Sequence, residues 1–206
     1  MLKNKKIKKF IYLISPERID YNFYIDLKKV FTSKQVKYFQ LRLKKSTKSE
    51  AIKIALKIRN IAKKYNIKII INDRPDIAKL VKADGCHIGQ TDGTYSSAKK
   101  KLNKKIIGVT CHGSKKLINK AIKDRANYVA LGSFFKSKLK PKAKKANKNI
   151  ITWLRKKSNI PIVAIGGIND KNYKKLLSLG ANYIAISSYI WNNPALKPEQ
   201  AIKKFK

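Results

Sequence analysis

Acidic residues are scarce in this chain. Its 206 residues carry 11 Asp and Glu against 50 Lys and Arg, a formal charge of +39. Cysteine is scarcer still. Cys86 and Cys111 are too few for a disulfide framework and lack metal-site spacing, which fits a reducing compartment. No apolar stretch approaches the roughly 18 residues a membrane span needs, so no membrane partner is expected. The opening MLKNKKIKKFIYLIS has the basic start of a signal peptide, but its apolar run from Phe10 to Ile14 is shorter than the roughly 7–15 residues required. Pro16, Glu17 and Arg18 follow it. The segment reads as a basic tail at residues 1–9 leading into a first strand, and the protein is expected in the cytoplasm. Two nucleotide fingerprints are missing as well. No G-x-G-x-x-G follows the first strand, and no G-x-x-x-x-G-K-[ST] occurs anywhere.

What is present in excess is lysine. Only six of the basic residues are arginine (Arg18, Arg42, Arg59, Arg74, Arg125 and Arg155), and the lysines are spread over every helical pattern. That distribution reads as solvated helix faces. A nucleic-acid-binding protein remains an alternative, and it predicts steep salt dependence and stacking aromatics among grouped cations. With hydrophobic residues at 43% and aromatics at 9%, the chain has the means to build a globular core. In so acid-poor a sequence, each carboxylate carries information.

Short β-branched runs recur at even intervals: Phe10–Ser15, Tyr38–Leu43, Ile67–Asn72, Gly85–Gly89, Lys105–Cys111, Tyr128–Phe135, Ile160–Ile168 and Tyr183–Ile190. Several are apolar on both faces, as in Ile69-Ile70-Ile71, which marks strands buried in a parallel sheet. Amphipathic patterns lie between them, over Ser49–Tyr65, Lys115–Lys123, Ile150–Lys157 and Asn172–Leu179, the last with Gly180 as its C-terminal cap. Eight strands alternating with helices predict an α/β chain folded as a single (β/α)8 TIM barrel, residues 1–206 forming one domain. An open doubly wound sheet is the alternative.

In such a barrel, function collects where strands end at their C-terminal side. The second strand ends Gln40-Leu41-Arg42-Leu43-Lys44, and alternation puts Gln40, Arg42 and Lys44 on one face. Inward polar residues there suit an anion. The third ends Ile71-Asn72-Asp73-Arg74, and the fourth leads through His87, Gly89 and Gln90 into Thr91-Asp92. Adjacent strands bring Asp73 and Asp92 to the same rim, where they suit Mg2+, which takes one or two carboxylates and completes its shell with phosphate and water. Asp76 is expected to serve the next helix's first turn and Asp84 a turn. His87 and His112 have no metal-site spacing, and His87 reads as a satisfied core residue. Thr110 ends the fifth strand with a hydroxyl. The sixth runs into the lysine-rich segment 136–145, which contains Ser137 and Lys140 and suits a lid over phosphates. Gly166-Gly167 after strand seven, and Ser187-Ser188 after strand eight, suit backbone capture of an anion.

These motifs together resemble thiamine-phosphate synthases. The ordered set is Gln40-Leu41-Arg42-x-Lys44, Ile71-Asn72-Asp73-Arg74, Asp84-Gly85-x-His87-x-Gly89-Gln90-x-Asp92, Gly108-Val109-Thr110-x-His112, Gly132-x-x-Phe135 with Lys140, Ile165-Gly166-Gly167-Ile168 and Ala185-x-x-Ser188. The resemblance runs from about residue 10 to 192 and implies a (β/α)8 barrel. It also implies Mg2+-dependent coupling of 4-amino-2-methyl-5-hydroxymethylpyrimidine diphosphate to thiazole phosphate, giving thiamine phosphate and pyrophosphate. By resemblance Gln40, Arg42, Lys44 and Asn72 hold the pyrimidine diphosphate, and Asp73 and Asp92 the metal. Thr110 stands where the family usually has serine, and Lys140 binds diphosphate. Ser137 and Leu139 line the thiazole phosphate, whose phosphate Gly167, Ser187 and Ser188 grip. The catalytic set it implies is Arg42, Lys44, Thr110 and Lys140.

Other positions depart from the family pattern too, the loop reading Lys136-Ser137-Lys138-Leu139-Lys140 where the family has Thr-x-Thr-Lys after a proline. Leu43 replaces an acid in the second-strand motif, Leu139 replaces a threonine of the loop, and Asn127 replaces an aspartate before Tyr128. A thiazole tautomerase of the same family, with His112 as acid/base, is the nearest alternative activity. The sequence does not fix an oligomeric state.

Overall fold

Ile69, Ile70 and Ile71 are all buried in the third strand, as a strand covered on both faces of a parallel sheet requires. The structure, a computed structural model, describes residues 9–136 and 145–206. Eight parallel strands close a barrel in chain order: β1 (Ile11–Ile14), β2 (Val36–Leu41), β3 (Lys68–Asn72), β4 (Gly85–Ile88), β5 (Ile106–His112), β6 (Tyr128–Leu131), β7 (Ile162–Ile165) and β8 (Tyr183–Ile186). The helices between them are α1 (Tyr21–Phe31), α2 (Lys48–Lys64), α3 (Pro75–Leu80), α4 (Tyr95–Leu102), α5 (Lys115–Lys123), α6 (Asn149–Lys157) and α7 (Tyr173–Ser178). Two short ones, α8 (Ser188–Trp191) and α9 (Pro198–Ile202), follow β8. Of the expected basic tail, residues 1–8 lie outside the described set. Among the described residues no helix is long and apolar enough to cross a membrane.

Alternation along the strands splits the apolar residues into two layers. Ile11, Leu13, Val129, Leu131, Ile162 and Ala164 face the helices and form the outer core. Tyr12, Ile14, Tyr128, Ala130, Val163 and Ala185 fill the interior, with Tyr38 and Tyr183 packed against them. Local chemistry sets the helix ends. Thr47 and Glu50 form a capping box on α2, and Asp20 accepts the Phe23 N–H (2.8 Å) to start α1. Gly180 at φ +109° closes α7, donating to Leu177 while Ala181 donates to Leu176, the Schellman arrangement expected of it.

Side-chain staples tie neighbouring strands together in pairs, β3 to β4, β5 to β6 and β7 to β8. Asp84, Asn127 and Asn182, each just before an even-numbered strand, accept the N–H of Ile69 (2.9 Å), Ile107 (2.8 Å) and Ile162 (2.8 Å) respectively. Asp84 therefore does more than make a turn: it also binds Lys68 Nζ (2.9 Å). Asn127 needs no charge to do this work. Asp76 lies in the first turn of α3, as expected, and is bonded to Arg74 through both its oxygens.

Most strands are shorter than the apolar runs predict. Phe134, Ile168 and Ile190 are buried although they lie beyond β6, β7 and β8, the first two on rim loops that fold back onto the barrel and Ile190 on α8. The expected strand over 183–190 ends at Ile186, and Ser188 begins a helix. β2 ends at Leu41, so Arg42 and Lys44 stand on the segment after it, where the Arg42 N–H donates to Ser15 Oγ (3.0 Å).

Candidate active site

A cavity of about 660 Å³ opens at the C-terminal ends of the strands. Its wall includes Gln40, Arg42, Lys44, Asn72, Asp73, Asp92, Thr110, Gly167, Ser187 and Ser188, so these expected residues converge. Ser137, Leu139 and Lys140 lie outside the described residues.

One side of the cavity is charged. Asp73 follows β3 directly, in the left-handed region at φ +60°, which turns its carboxyl back over the next strand's end. Its Oδ1 accepts the Gly89 N–H (3.1 Å), and Asn72 Nδ2 donates to its Oδ2. Lys44 Nζ lies 3.6 Å from Asp73 Oδ2 and 3.8 Å from Asp92 Oδ1, a single ammonium shared by two carboxylates. Gly89 makes the approach possible, since a Cβ there would sit 2.5 Å from Asp92 Oδ2 and 3.5 Å from Asp73 Oδ1. Arg42 reaches Glu17 at 3.7 Å on the outer rim.

Opposite, the β7–α7 turn carries Gly166 (φ +103°) and Gly167 (φ +62°). The glycines have a packing reason beyond anion capture. A Cβ on Gly166 would lie 2.0 Å from Ser133 Oγ, and one on Gly167 2.1 Å from the Lys136 carbonyl oxygen. The segment after β6 is laced to this turn, Phe134 and Phe135 donating to the Ile165 and Gly166 carbonyls (3.1 and 3.0 Å). Among the described residues no backbone acceptor meets the N–H of Gly167 or Ser188. Ser187 holds its position by donating its hydroxyl to the Ser15 carbonyl (3.2 Å), so its side chain serves the framework.

The floor is polar and buried. His87 is 8% exposed and sits between two hydroxyls, with Nδ1 3.0 Å from Tyr128 and Nε2 2.8 Å from Thr110. Burial pushes its pKa down to about 4, so the imidazole is neutral at ordinary pH. It is a satisfied interior residue, as expected, and it also lines the cavity. Tyr128 donates or accepts at Tyr12 (2.7 Å), and burial holds both phenols well above their usual range. Burial likewise pushes the Cys86 and Cys111 thiols up to about 12, leaving them unreactive.

Sequence reasoning missed several contributors. Ser15 orders the ends of β1, β2 and β8, and Trp191 Nε1 donates to the Ile14 carbonyl (2.7 Å) beneath the mouth. Tyr12 and Tyr128 stand at inward positions of their strands. That tyrosine recurs inward on four strands was a legible signal, whereas the chain-distant bonds of Ser15 and Trp191 left none.

The family model described as thiamine monophosphate synthase matches residues 11–190. A thiamine-phosphate synthase of Pelagibacter ubique is 51% identical over the whole of both chains. One of Rhodospirillum centenum is 34% identical over 95% of each. Among solved structures, the thiamine phosphate pyrophosphorylase of Pyrococcus furiosus superposes with a TM-score of 0.85 at 26% identity, covering 98% of this chain and 96% of that one.

Proposed function

The chain belongs to the thiamine monophosphate synthase family, and from that premise we propose that its cavity couples 4-amino-2-methyl-5-hydroxymethylpyrimidine diphosphate to thiazole phosphate. The products are thiamine phosphate and pyrophosphate, which makes the protein a transferase of the pyrimidinylmethyl group. The observation that carries this reading is the division of one cavity: Arg42, Lys44, Asp73 and Asp92 on one wall, and the Gly167 turn with Ser187 and Ser188 on the other. A diphosphate needs the first wall and a monophosphate the second.

The donor set fits Mg2+. Two carboxylates, Asp73 and Asp92, converge over the missing side chain of Gly89, and a lysine ammonium bridges them. Mg2+ takes one or two protein carboxylates and completes its shell with phosphate and water, and two carboxylates are what this rim offers. Bound by these carboxylates, Mg2+ would supply charge neutralisation to the departing diphosphate.

In the reaction, the C–O bond to diphosphate breaks and its electron pair leaves with the diphosphate. The thiazole nitrogen then donates its lone pair to the pyrimidinylmethyl carbon, forming the C–N bond. No proton moves and no protein nucleophile is consumed. Arg42 and Lys44 meet charge as it builds on the leaving oxygens. By resemblance, Lys140 adds a third cation. Gln40, Asn72 and Thr110 orient the pyrimidine against the barrel floor, and the N–H groups of Gly167 and Ser188 hold the thiazole's phosphate over it. Freedom from water matters because water would intercept the pyrimidinylmethyl cation left when the C–O bond breaks, and by resemblance the loop around Ser137 excludes it. We place the reaction in the cytoplasm, in keeping with the two free, buried cysteines.

The test is to supply both substrates with Mg2+ and follow thiamine phosphate and pyrophosphate together. Equal amounts of the two are expected. Thiazole isomerisation without pyrophosphate would place the protein in the tautomerase branch instead.

A further inference from the structure

Lys44 stands on the segment after β2 with its side chain half exposed, its ammonium 3.6 Å from Asp73 Oδ2 and 3.8 Å from Asp92 Oδ1. The carboxylates assigned to Mg2+ therefore already share a cation that belongs to the chain. The partners differ in freedom. Asp73 is fixed by its backbone at φ +60°, by the Gly89 N–H on Oδ1 (3.1 Å) and by Asn72 Nδ2 on Oδ2. Asp92 Oδ2 accepts the Thr91 hydroxyl (3.3 Å). Lys44 is tethered only by its flexible four-carbon stem, and neither of its two contacts is short enough for a hydrogen bond.

We propose that Lys44 is a built-in counter-ion that competes with Mg2+ for Asp73 and Asp92 until a diphosphate draws it away, so that metal and diphosphate enter the site together. The identity of the diphosphate rests on the functional reading above.

The argument is a count of charge at short range. Two carboxylates and one ammonium sum to −1. A divalent ion arriving alone brings the sum to +1 and sets two cations against each other over the same oxygens, at separations where salt does not screen the repulsion. Arg42 leaves this count unchanged, because Glu17 lies 3.7 Å from it. A diphosphate reverses the balance. It brings the negative charge that is lacking, takes the ammonium onto its own oxygens, and offers the metal phosphate ligands in the ammonium's place. Asp73, held by its backbone and two hydrogen bonds, stays where it is, so the lysine is the part that moves. It need only turn about its stem, since Lys44 and both carboxylates line one cavity. The coupling is reciprocal: whatever the diphosphate adds to metal affinity, the metal adds to diphosphate affinity.

Mn2+, which takes the same oxygen ligands, serves as the probe, and the EPR signal of the free ion counts what the full chain has bound. Lys44→Met keeps most of the stem and removes the charge. Binding of Mn2+ alone is expected to tighten at least about tenfold in Lys44→Met, because the competitor is gone. Binding of preformed manganese pyrophosphate, measured by calorimetry, is expected to weaken about tenfold, because the ammonium that meets the diphosphate is gone as well. The two shifts have opposite signs, whereas a merely distorted rim weakens both. Should Lys44→Met fail to fold, Lys44→Gln gives the same comparison. Mn2+ alone bound no more tightly by the variant than by the wild type overturns the proposal, and so does an affinity for manganese pyrophosphate that does not fall. A wild-type protein that makes no thiamine phosphate from its two substrates removes the functional reading instead, while the Mn2+ titration still decides whether Lys44 and the metal compete.

Discussion

A methyl group on Gly89 would lie 2.5 Å from Asp92 Oδ2. The clash falls on the far end of a rim side chain, which can swing away, so Gly89→Ala is expected to leave the melting temperature within a few degrees. What it displaces is one of the two carboxylates assigned to Mg2+. The Mg2+ concentration for half-maximal pyrophosphate release is expected to rise at least about tenfold, as for other changes beside metal ligands. Asp92→Ala is expected to abolish Mg2+-dependent turnover with the fold intact. Loss of folding in Asp92→Ala would make that residue structural.

Asp73 has two separable duties. Its backbone is at φ +60°, and its side chain accepts the Gly89 N–H. Asn tolerates that backbone and accepts the same bond. Asp73→Asn is therefore expected to keep wild-type stability and lose metal-dependent activity, while Asp73→Ala loses activity and about 1–2 kcal/mol of stability. Urea denaturation of the pair separates the roles, and equal stability of both variants would contradict the assignment.

Fold and site were legible to different depths. Buried triplets such as Ile69–Ile71 made the barrel readable, because a parallel sheet covered on both faces leaves no alternation. Strand ends were overrun at Phe134, Ile168 and Ile190, where buried residues of the loops and of α8 extend the apolar signal without extending the hydrogen-bond ladder. The rim residues were readable from their position after each strand, and the scarcity of acids singled out Asp73 and Asp92. Hidden from the sequence were contacts between distant positions: the shared ammonium of Lys44, the lacing of Phe134–Phe135 onto Ile165–Gly166, and the tyrosine–histidine chain beneath Thr110. No local pattern encodes those.

Gly167 stands at φ +62° with the Lys136 carbonyl where a side chain would go. Gly167→Ala is expected to cost about 1–3 kcal/mol from backbone strain and to shift the turn. Thiazole phosphate should bind more weakly while KM for the pyrimidine diphosphate holds. Calorimetry with each substrate decides it, and undiminished thiazole phosphate binding would remove this turn from the phosphate site.

Asn127 supplies an acceptor, not a charge, to the Ile107 N–H. Asn127→Ala is expected to lose about 1–3 kcal/mol, the cost of an unpaired backbone donor. Asn127→Asp is expected to stay near wild type, since Asp84 makes the equivalent bond to Ile69. Chemical denaturation of both variants checks the staple.

Burial lowers the His87 pKa to about 4 from an ordinary value near 6.5, so between those values the unfolded chain binds a proton that the folded one refuses. Stability is then complete above about pH 6.5 and declines as pH falls towards 4, by about 2 kcal/mol at pH 5. Urea midpoints at pH 7, 6 and 5 measure the slope. A flat profile would mean that His87 takes up a proton in the folded protein as readily as in the unfolded chain.

One cavity is expected to neutralise a leaving diphosphate on one wall and to hold a phosphorylated acceptor on the other. A single-turnover reaction with both substrates, followed for pyrophosphate as Mg2+ is titrated, tests it most directly. Expected are one pyrophosphate per thiamine phosphate formed, a saturable Mg2+ requirement in the wild type, and none of that turnover in Asp92→Ala. Pyrophosphate release that ignores Mg2+, or that survives Asp92→Ala unchanged, would contradict it.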